Sequence, residues 1–342
     1  MTGGATASGA GANAGGATGG ASRGSYTVAD LGTLGGILSQ AVDVNETGAV
    51  AGVSALPDDA RHGFVYDRGA MSEIGTLGGT ISVGYAINEN GAVTGYSTLP
   101  TGSYRAFLYS DGKMTDLGSI GGADYSSGAA INSLGHVVGE SAVAGSDRHD
   151  AFLYRDGTMI DLGTLGGEYS SAHGINDAGR IVGYSYRPEG VFHGFLLEGG
   201  EMVDLGTLGG SYSKAYGINE AGDVVGLAYL AGDAQAHAFL YRAGSDGSMI
   251  DLDTMGHAHS EALAINAQGA VVGDFDTAGD GVVIPRAFLF TDGQMRDLND
   301  LIGQGSGWLL NVASGINDAG QIAGWGTFQG QQHAFLLSPT AL

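Results

Sequence analysis

His173, Lys214, Tyr216, His259 and Glu261 are the side chains of this chain best suited to moving protons. A histidine and a carboxylate can share general acid and base work, while a lysine or a phenol holds an anionic intermediate. No Gly-x-Ser-x-Gly elbow and no cysteine offers a nucleophile, so such chemistry would be of lyase, cyclase, isomerase or water-using hydrolase type. A second group, Tyr85, Tyr125, Tyr169, Tyr212 and Gln40, suits recognition instead, because tyrosine rings give flat apolar faces with a polar tip. In a third group, His257, His259 and Glu261 alternate, which on a strand turns them to one side, and Asp253 or His173 can complete a divalent-metal set. That spacing is weak, and we expect no resident metal or other cofactor.

What must position these residues is a repeat. The phrase Asp-Leu-Gly-Thr-Leu-Gly-Gly begins at Asp30, Asp161 and Asp204 and recurs in looser form at Glu73, Asp116, Asp251 and Asp297, at intervals of 43 to 47 residues. Each unit also carries an Ile/Val-Asn with Gly three residues on (Asn45 and Gly48 in the first), a β-branched run, a polar-Ala/Gly-Phe-Leu segment and Met-x-Asp-Leu. The Asn and Gly suit a tight hairpin with a bulge, since Asn bonds its own backbone and Gly accepts positive φ. Period-two runs of four to eight residues separated by turn residues predict four antiparallel strands per unit and almost no helix. Four strands per unit of about 45 residues predict an all-β, seven-bladed β-propeller. The segment 26–31 has the character of a fourth strand without its first three, and the last unit lacks a fourth strand. The N-terminal strand is therefore expected to close the last blade and leave no open edge.

Composition sets further bounds. Residues 1–25 form a Gly/Ala-rich stretch expected to be a disordered tail, and 26–342 the propeller. The tail lacks the apolar core of a secretory signal, which reads as cytoplasmic. No apolar run is long enough for a membrane span. A net charge of −23 argues against nucleic acid and anionic membranes as partners and favours a soluble monomer.

The phrases Asp-Leu-Gly-Thr-Leu-Gly-Gly, His-Ala-Phe-Leu (333–336) and Ile-Asn-Asp-Ala-Gly (316–320) together resemble the HAF-repeat family, also called probable extracellular repeat proteins. The resemblance covers about residues 26–339. It implies a propeller-like β fold, and an extracellular location as the alternative to the cytoplasmic one. It implies little about chemistry.

A repeat supplies its own control: what recurs in every blade is scaffold, and what varies is where function sits. His62, His193, His237 and His333 share one blade position, as do Arg105, Asp150 and Arg286, so they are expected to serve the scaffold. Along the expected innermost strands, one set of positions is always small (Ala41 and its equivalents, with Ser39 and its equivalents). The other set varies in three layers, from Tyr125, Tyr169, Tyr212 and His259 nearest the mouth, through Gln40, Lys214 and Glu261, to Tyr85, His173 and Tyr216. One side of the channel mouth is thus aromatic and titratable, the other aliphatic. This predicts a binding protein for a small molecule or glycan at the mouth, or else a propeller enzyme using the acid-base residues of blades four to six. Two other readings stay open: the side chains plug the channel, or a protein partner docks at the irregular loops 56–61 and 277–284.

Overall fold

The structure, a computed structural model, describes residues 25–244, 247–279 and 282–340. The expected tail over 1–25 lies outside the described residues except for Ser25. Seven four-stranded antiparallel sheets are arranged in a ring, each formed by strands consecutive in sequence. The exception is the seventh blade, in which Tyr26–Asp30 pairs with Gln331–Pro339, with Tyr26 opposite Pro339 and Asp30 opposite Phe335. The fold is therefore a seven-bladed propeller closed by its N-terminal strand. The only helical element among the described residues is one 3-10 turn, Leu298–Asp300. None of the described helices is long and apolar enough to cross a membrane.

Each blade is built the same way for the same reasons. The Phe of Ala/Gly-Phe-Leu lies on the third strand and is fully buried in all seven blades: Phe64, Phe107, Phe152, Phe195, Phe239, Phe288 and Phe335. Each contributes about 1.5–3 kcal/mol by burial. The second strand carries a glycine beside it (Gly52, Gly95, Gly139, Gly183, Gly226, Gly273, Gly324), where a Cβ would stand 1.8–2.1 Å from a carbonyl oxygen of the first strand. No larger residue fits there. The first strands lie next to one another around the axis and are innermost. Their small residues close the gaps between blades, with Ala41, Ala172, Ala215, Ala262 and Ala313 fully buried. The serine two residues earlier ties neighbouring blades: Ser39 Oγ donates to Gly32 O at 2.6 Å and accepts from Ala334 N at 2.9 Å.

The Asn-x-x-Gly turn forms as expected, with Gly48 N donating to Asn45 O at 3.0 Å and Gly48 at φ 82°. The bulge lies earlier, within the first strand, where the register shifts between Ala41 and Asp43 and at the equivalent place in the other blades. The Gly-rich loop spends its own donors: Gly32 N bonds Asp30 Oδ1 at 2.9 Å, and Thr33 Oγ1 bonds Gly36 O at 2.9 Å.

The recurring histidines pair with the carboxylate that opens that loop. His193 Nδ1 lies 2.8 Å from Asp204, His237 Nδ1 2.9 Å from Asp251, His333 Nδ1 2.9 Å from Asp30, and His62 Nδ1 2.5 Å from Glu73. Arg286 makes the same link to Asp297 at 2.7 Å. Among the described residues blade two shows no such link, its Arg105 donating to Tyr104 O at 3.2 Å, and blade three reverses the charge. Its Asp150 is fully buried and faces Asp161, another carboxyl, with only Arg148 to offset it. Burial first, then the charge of Asp161, pushes the Asp150 carboxyl up.

Two outcomes follow. Asp150 has a raised pKa when folded, so it lowers stability as pH rises above the unfolded carboxylate range; Asp150→His restores the blade's histidine–carboxylate pair and raises stability at pH 7–8 by about 1 kcal/mol, read by thermal melts. Removing residues 1–24 keeps the closing strand, whereas removing 1–32 strips Tyr26–Asp30 from Gln331–Pro339 and exposes an edge. The longer truncation melts far lower than the shorter one, and equal melting temperatures would contradict closure by this strand.

Candidate functional site

The first strands enter from the Gly-rich loops at one mouth of the ring and leave through the Asn turns at the other end. Between these lies a cavity of about 660 Å³ on the axis. Of the residues singled out from sequence, Tyr85, Tyr125, Tyr169, His173 and Tyr216 line it. Val42, Leu263 and Ser314 complete the deep layer from blades one, six and seven, while Ala129 of blade three stands between Tyr85 and His173; the aromatic side thus includes blade two, which the sequence pattern places with the apolar blades.

The remaining candidates stand outside this lining. Lys214 turns its ammonium onto the rings of Tyr184 and Phe192, at 4.6 and 5.2 Å from their centroids. Glu261 is hydrogen-bonded to Tyr216 and feels His259 and Lys214. The ring of Tyr212 packs on Phe192 at 4.8 Å and Tyr229 at 5.5 Å. His259 bridges to Ala236 of the preceding blade, and Gln40 lies opposite Val53. The expected alternation of His257, His259 and Glu261 on one strand face does not form. The strand starts at Ser260, and His257 belongs to the loop before it. There Asp253 accepts from His257 Nδ1 at 3.1 Å and from the backbone N–H groups of Met255, Gly256 and His257. The His257 ring stacks on Phe275 at 4.0 Å. Asp253 and His257 are thus committed to a loop, and among the described residues no cluster of three or more His, Asp or Glu could hold a metal.

Two further lining residues come from the second strands, which the innermost-strand argument leaves out. The residue after the packing glycine varies around the ring: Val53, Tyr96, Glu140, Tyr184, Leu227, Asp274 and Trp325. Each lies opposite a middle-layer residue of the first strand. Glu140 and Tyr184 line the cavity. The Tyr125 hydroxyl donates to Glu140 Oε1 at 2.6 Å, and the Tyr169 hydroxyl donates to Oε2. Tyr184 Oη lies 3.4 Å from Tyr169 Oη. His173 Nε2 is 3.2 Å from Ser171 Oγ, and its ring lies 5.5 Å from those of Tyr184 and Tyr216. Neighbouring rings 4.8–6.3 Å apart run without a gap from Tyr85 through Tyr96, Tyr104, Tyr125, His149, Tyr169, Tyr184 and Phe192 to Tyr212 and Tyr229. This arc spans blades two to five. A groove of about 580 Å³ shares Tyr169 and Tyr184 with the cavity and leads outward over blades three and four past Arg148 and Glu168.

Enclosure sets the protonation states. Burial, with help from Lys214 and against Glu140, pulls His173 down to about 4, so it is neutral at pH 7. Burial, then the Glu140 hydrogen bond, pushes Tyr125 and Tyr169 up, and burial pushes Tyr85 up to about 12. Asp274 is pushed up to about 8 by burial and then by Glu261 and Asp276. At the throat, Asp43 is pushed up to about 6 by burial, against hydrogen bonds from Ile87 N at 2.9 Å and Val44 N at 2.8 Å.

The pH dependence has a sign on each side. Folded Asp274 keeps its proton up to about pH 8, whereas the unfolded chain releases it at the ordinary value, so stability falls as pH rises between the two. Asp274→Asn removes that fall and stabilises the protein at pH 8 by at least about 1 kcal/mol. Folded His173 stays neutral down to about pH 4, whereas the unfolded chain takes up its proton near the ordinary value, so stability is lost as pH drops through that window. His173→Gln flattens the acid limb. Thermal melts of both variants across pH 4–9 check this.

No protein-family model matches the chain, and no curated protein matches it. Among solved structures, the chain is similar to a puromycin-hydrolyzing peptidase from Mycobacterium tuberculosis, at 12% identity and a TM-score of 0.45, over 86% of this chain and 58% of that one. It is similar to TolB from Acinetobacter baumannii at 12% identity and a TM-score of 0.46, over 85% of this chain and 79% of that one. It is similar to a gluconolactonase from Xanthomonas campestris at 10% identity and a TM-score of 0.42, over 92% of this chain and 90% of that one.

Proposed function

We propose that this chain is a propeller binding protein that takes a small molecule or a glycan on the aromatic side of its channel mouth. The observation that carries the reading is Glu140, a carboxylate held by the Tyr125 and Tyr169 hydroxyls in the wall of a roomy cavity. Tyrosine faces supply contact area at little entropic cost, and a fixed polar group orients what lies on them. The cavity gives room for a ligand beside this carboxylate. The reading needs no cofactor. On its repeat phrases we place the chain among the HAF-repeat proteins.

A second reading, a propeller enzyme, is favoured by one specific observation. His173, in the cavity wall, is kept neutral, while Asp274, two blades away and outside that lining, is kept protonated, and a split of this kind gives a base and an acid at one pH. Its products and substrates would again be amphipathic small molecules.

Incubation of purified protein with a metabolite extract, followed by mass spectrometry of retained and consumed compounds, separates these readings. A compound retained unchanged by the wild type, and held at least about tenfold more weakly by Glu140→Gln, supports the binding site, since a hydrogen bond to a charged group contributes about 1.5–3 kcal/mol. A compound consumed by the wild type and spared by His173→Ala supports the enzyme. Retention that is indifferent to Glu140→Gln contradicts the assignment of the mouth.

A further inference from the structure

We propose that the ligand of the mouth carries a positively charged nitrogen, an ammonium group that sits among the tyrosine rings with Glu140 as its counter-ion. The inference rests on the reading above and names the chemistry of that site.

The first observation is a missing charge. Glu140 is half-buried and accepts two phenol hydrogen bonds, but among the described residues no Lys, Arg or His forms an ion pair with it. His149 packs between the Tyr125 and Tyr169 rings, at 5.1 and 6.0 Å, without an ion pair to Glu140, and the other cations of this sector are engaged elsewhere. Arg148 is bonded to Asp150, and Arg187 lies 3.3 Å from Asp204 and 3.4 Å from Glu189. Lys214 stands over Tyr184 and Phe192. His173 is neutral at pH 7 and supplies no charge. Phenol hydrogen bonds hold a half-buried carboxylate in place but bring no opposite charge, and a bound cation supplies one.

The second observation is what surrounds it. Tyr85, Tyr125, Tyr169 and Tyr184 line the same cavity. Ring faces attract cations through the quadrupole, and several faces around one carboxylate form the kind of cage that takes alkylammonium groups. The arc already holds one such group from the chain itself, since the Lys214 ammonium lies 4.6 Å from the centroid of Tyr184. The third observation is the field. With a net charge of −23 the protein draws cations toward any mouth and opposes anions.

Two sources share this chemistry, a small quaternary amine and an amino sugar, and matched probes distinguish them. Isothermal titration of the full chain compares choline with its uncharged isostere 3,3-dimethylbutan-1-ol, and glucosamine with glucose. The expected result is that at least one ammonium probe binds about tenfold or more tightly than its neutral twin, that added salt weakens it, and that Glu140→Gln abolishes the difference. Choline preference assigns a quaternary amine, and glucosamine preference an amino sugar. Tyr184→Leu, which leaves Glu140 in place, weakens the ammonium probe more than the neutral one. Melting curves of both variants confirm that they are folded. Neutral twins that bind as well as the ammonium probes overturn the inference and leave the binding reading intact. A preference that survives Glu140→Gln, or no ammonium binding at millimolar concentration, overturns the inference as well.

Discussion

Seven asparagine side chains hold this ring shut, and the rest of the molecule depends on them. Each donates from Nδ2 to the backbone carbonyl of the equivalent asparagine in the next blade: Asn45 to Asn88, then on through Asn132, Asn176, Asn219, Asn266 and Asn317, which donates back to Asn45. The distances are 3.0–3.2 Å in every blade. Each Oδ1 meanwhile accepts from its own turn, as Asn45 does from Ala49 N at 2.9 Å. All seven are buried, so an unmade bond at any of them would leave a polar group without water. A second, incomplete circuit runs beside it, in which Glu46 N donates to Glu89, Ser133 N to Asp177, Asp177 N to Glu220, Ala267 N to Asp318, and Asp318 N back to Glu46. The last bond of each circuit spans nearly the whole chain, which makes closure a cooperative property of all seven blades.

Fixing one end of every first strand frees the other. The Asn end, the packing glycine, the buried Phe and the serine clamp are held constant by geometry, so variation is confined to the mouth and to the channel wall. The site arises from broken symmetry: a ring of identical blades would present identical rings of side chains, whereas here aromatic residues gather in blades two to five and aliphatic ones lie opposite. Scaffold deviations fall in blades three and six. Blade three replaces the recurring histidine with Asp150, beside Arg148 at the rim of the outer groove. Blade six loses its Gly-Gly loop to the Asp253–His257 clasp.

The fold was legible in the sequence because each repeat restates it, and even the closing strand could be placed from an unmatched segment at each end. Half of the site was legible for the same reason. Tyr85, Tyr125, Tyr169, His173 and Tyr216 follow from strand alternation once the innermost strand is known. Glu140 and Tyr184 did not follow, since they lie on second strands, one layer out. Their signal was present in the residue after each packing glycine, which runs Val, Tyr, Glu, Tyr, Leu, Asp, Trp around the ring. They reach the cavity because glycine and small neighbours leave the first strand thin at that level. His257 misled for the converse reason. Alternation implies a shared face only inside a strand, and a carboxylate four residues upstream captured the histidine into a turn before the strand began.

Charge ties the two ends of the molecule together. At the Asn end, carboxylates accept backbone N–H groups and so are consumed by the scaffold. At the throat, Asp43 is consumed in the same way by Val44 and Ile87. Asp274 avoids the cost of burial by keeping its proton. Glu261 takes one phenol hydroxyl, from Tyr216, and lies in the field of His259 and Lys214, whereas Glu140 takes two, which are held un-ionised by burial and by Glu140 itself. Phenols neutralise no charge, so the arrangement stabilises the position of the carboxylate without satisfying its field. An acid clamped in place with no ion-pair partner among the described residues, beside the run of rings in blades two to five, is what sets Glu140 apart from the acids spent on the scaffold.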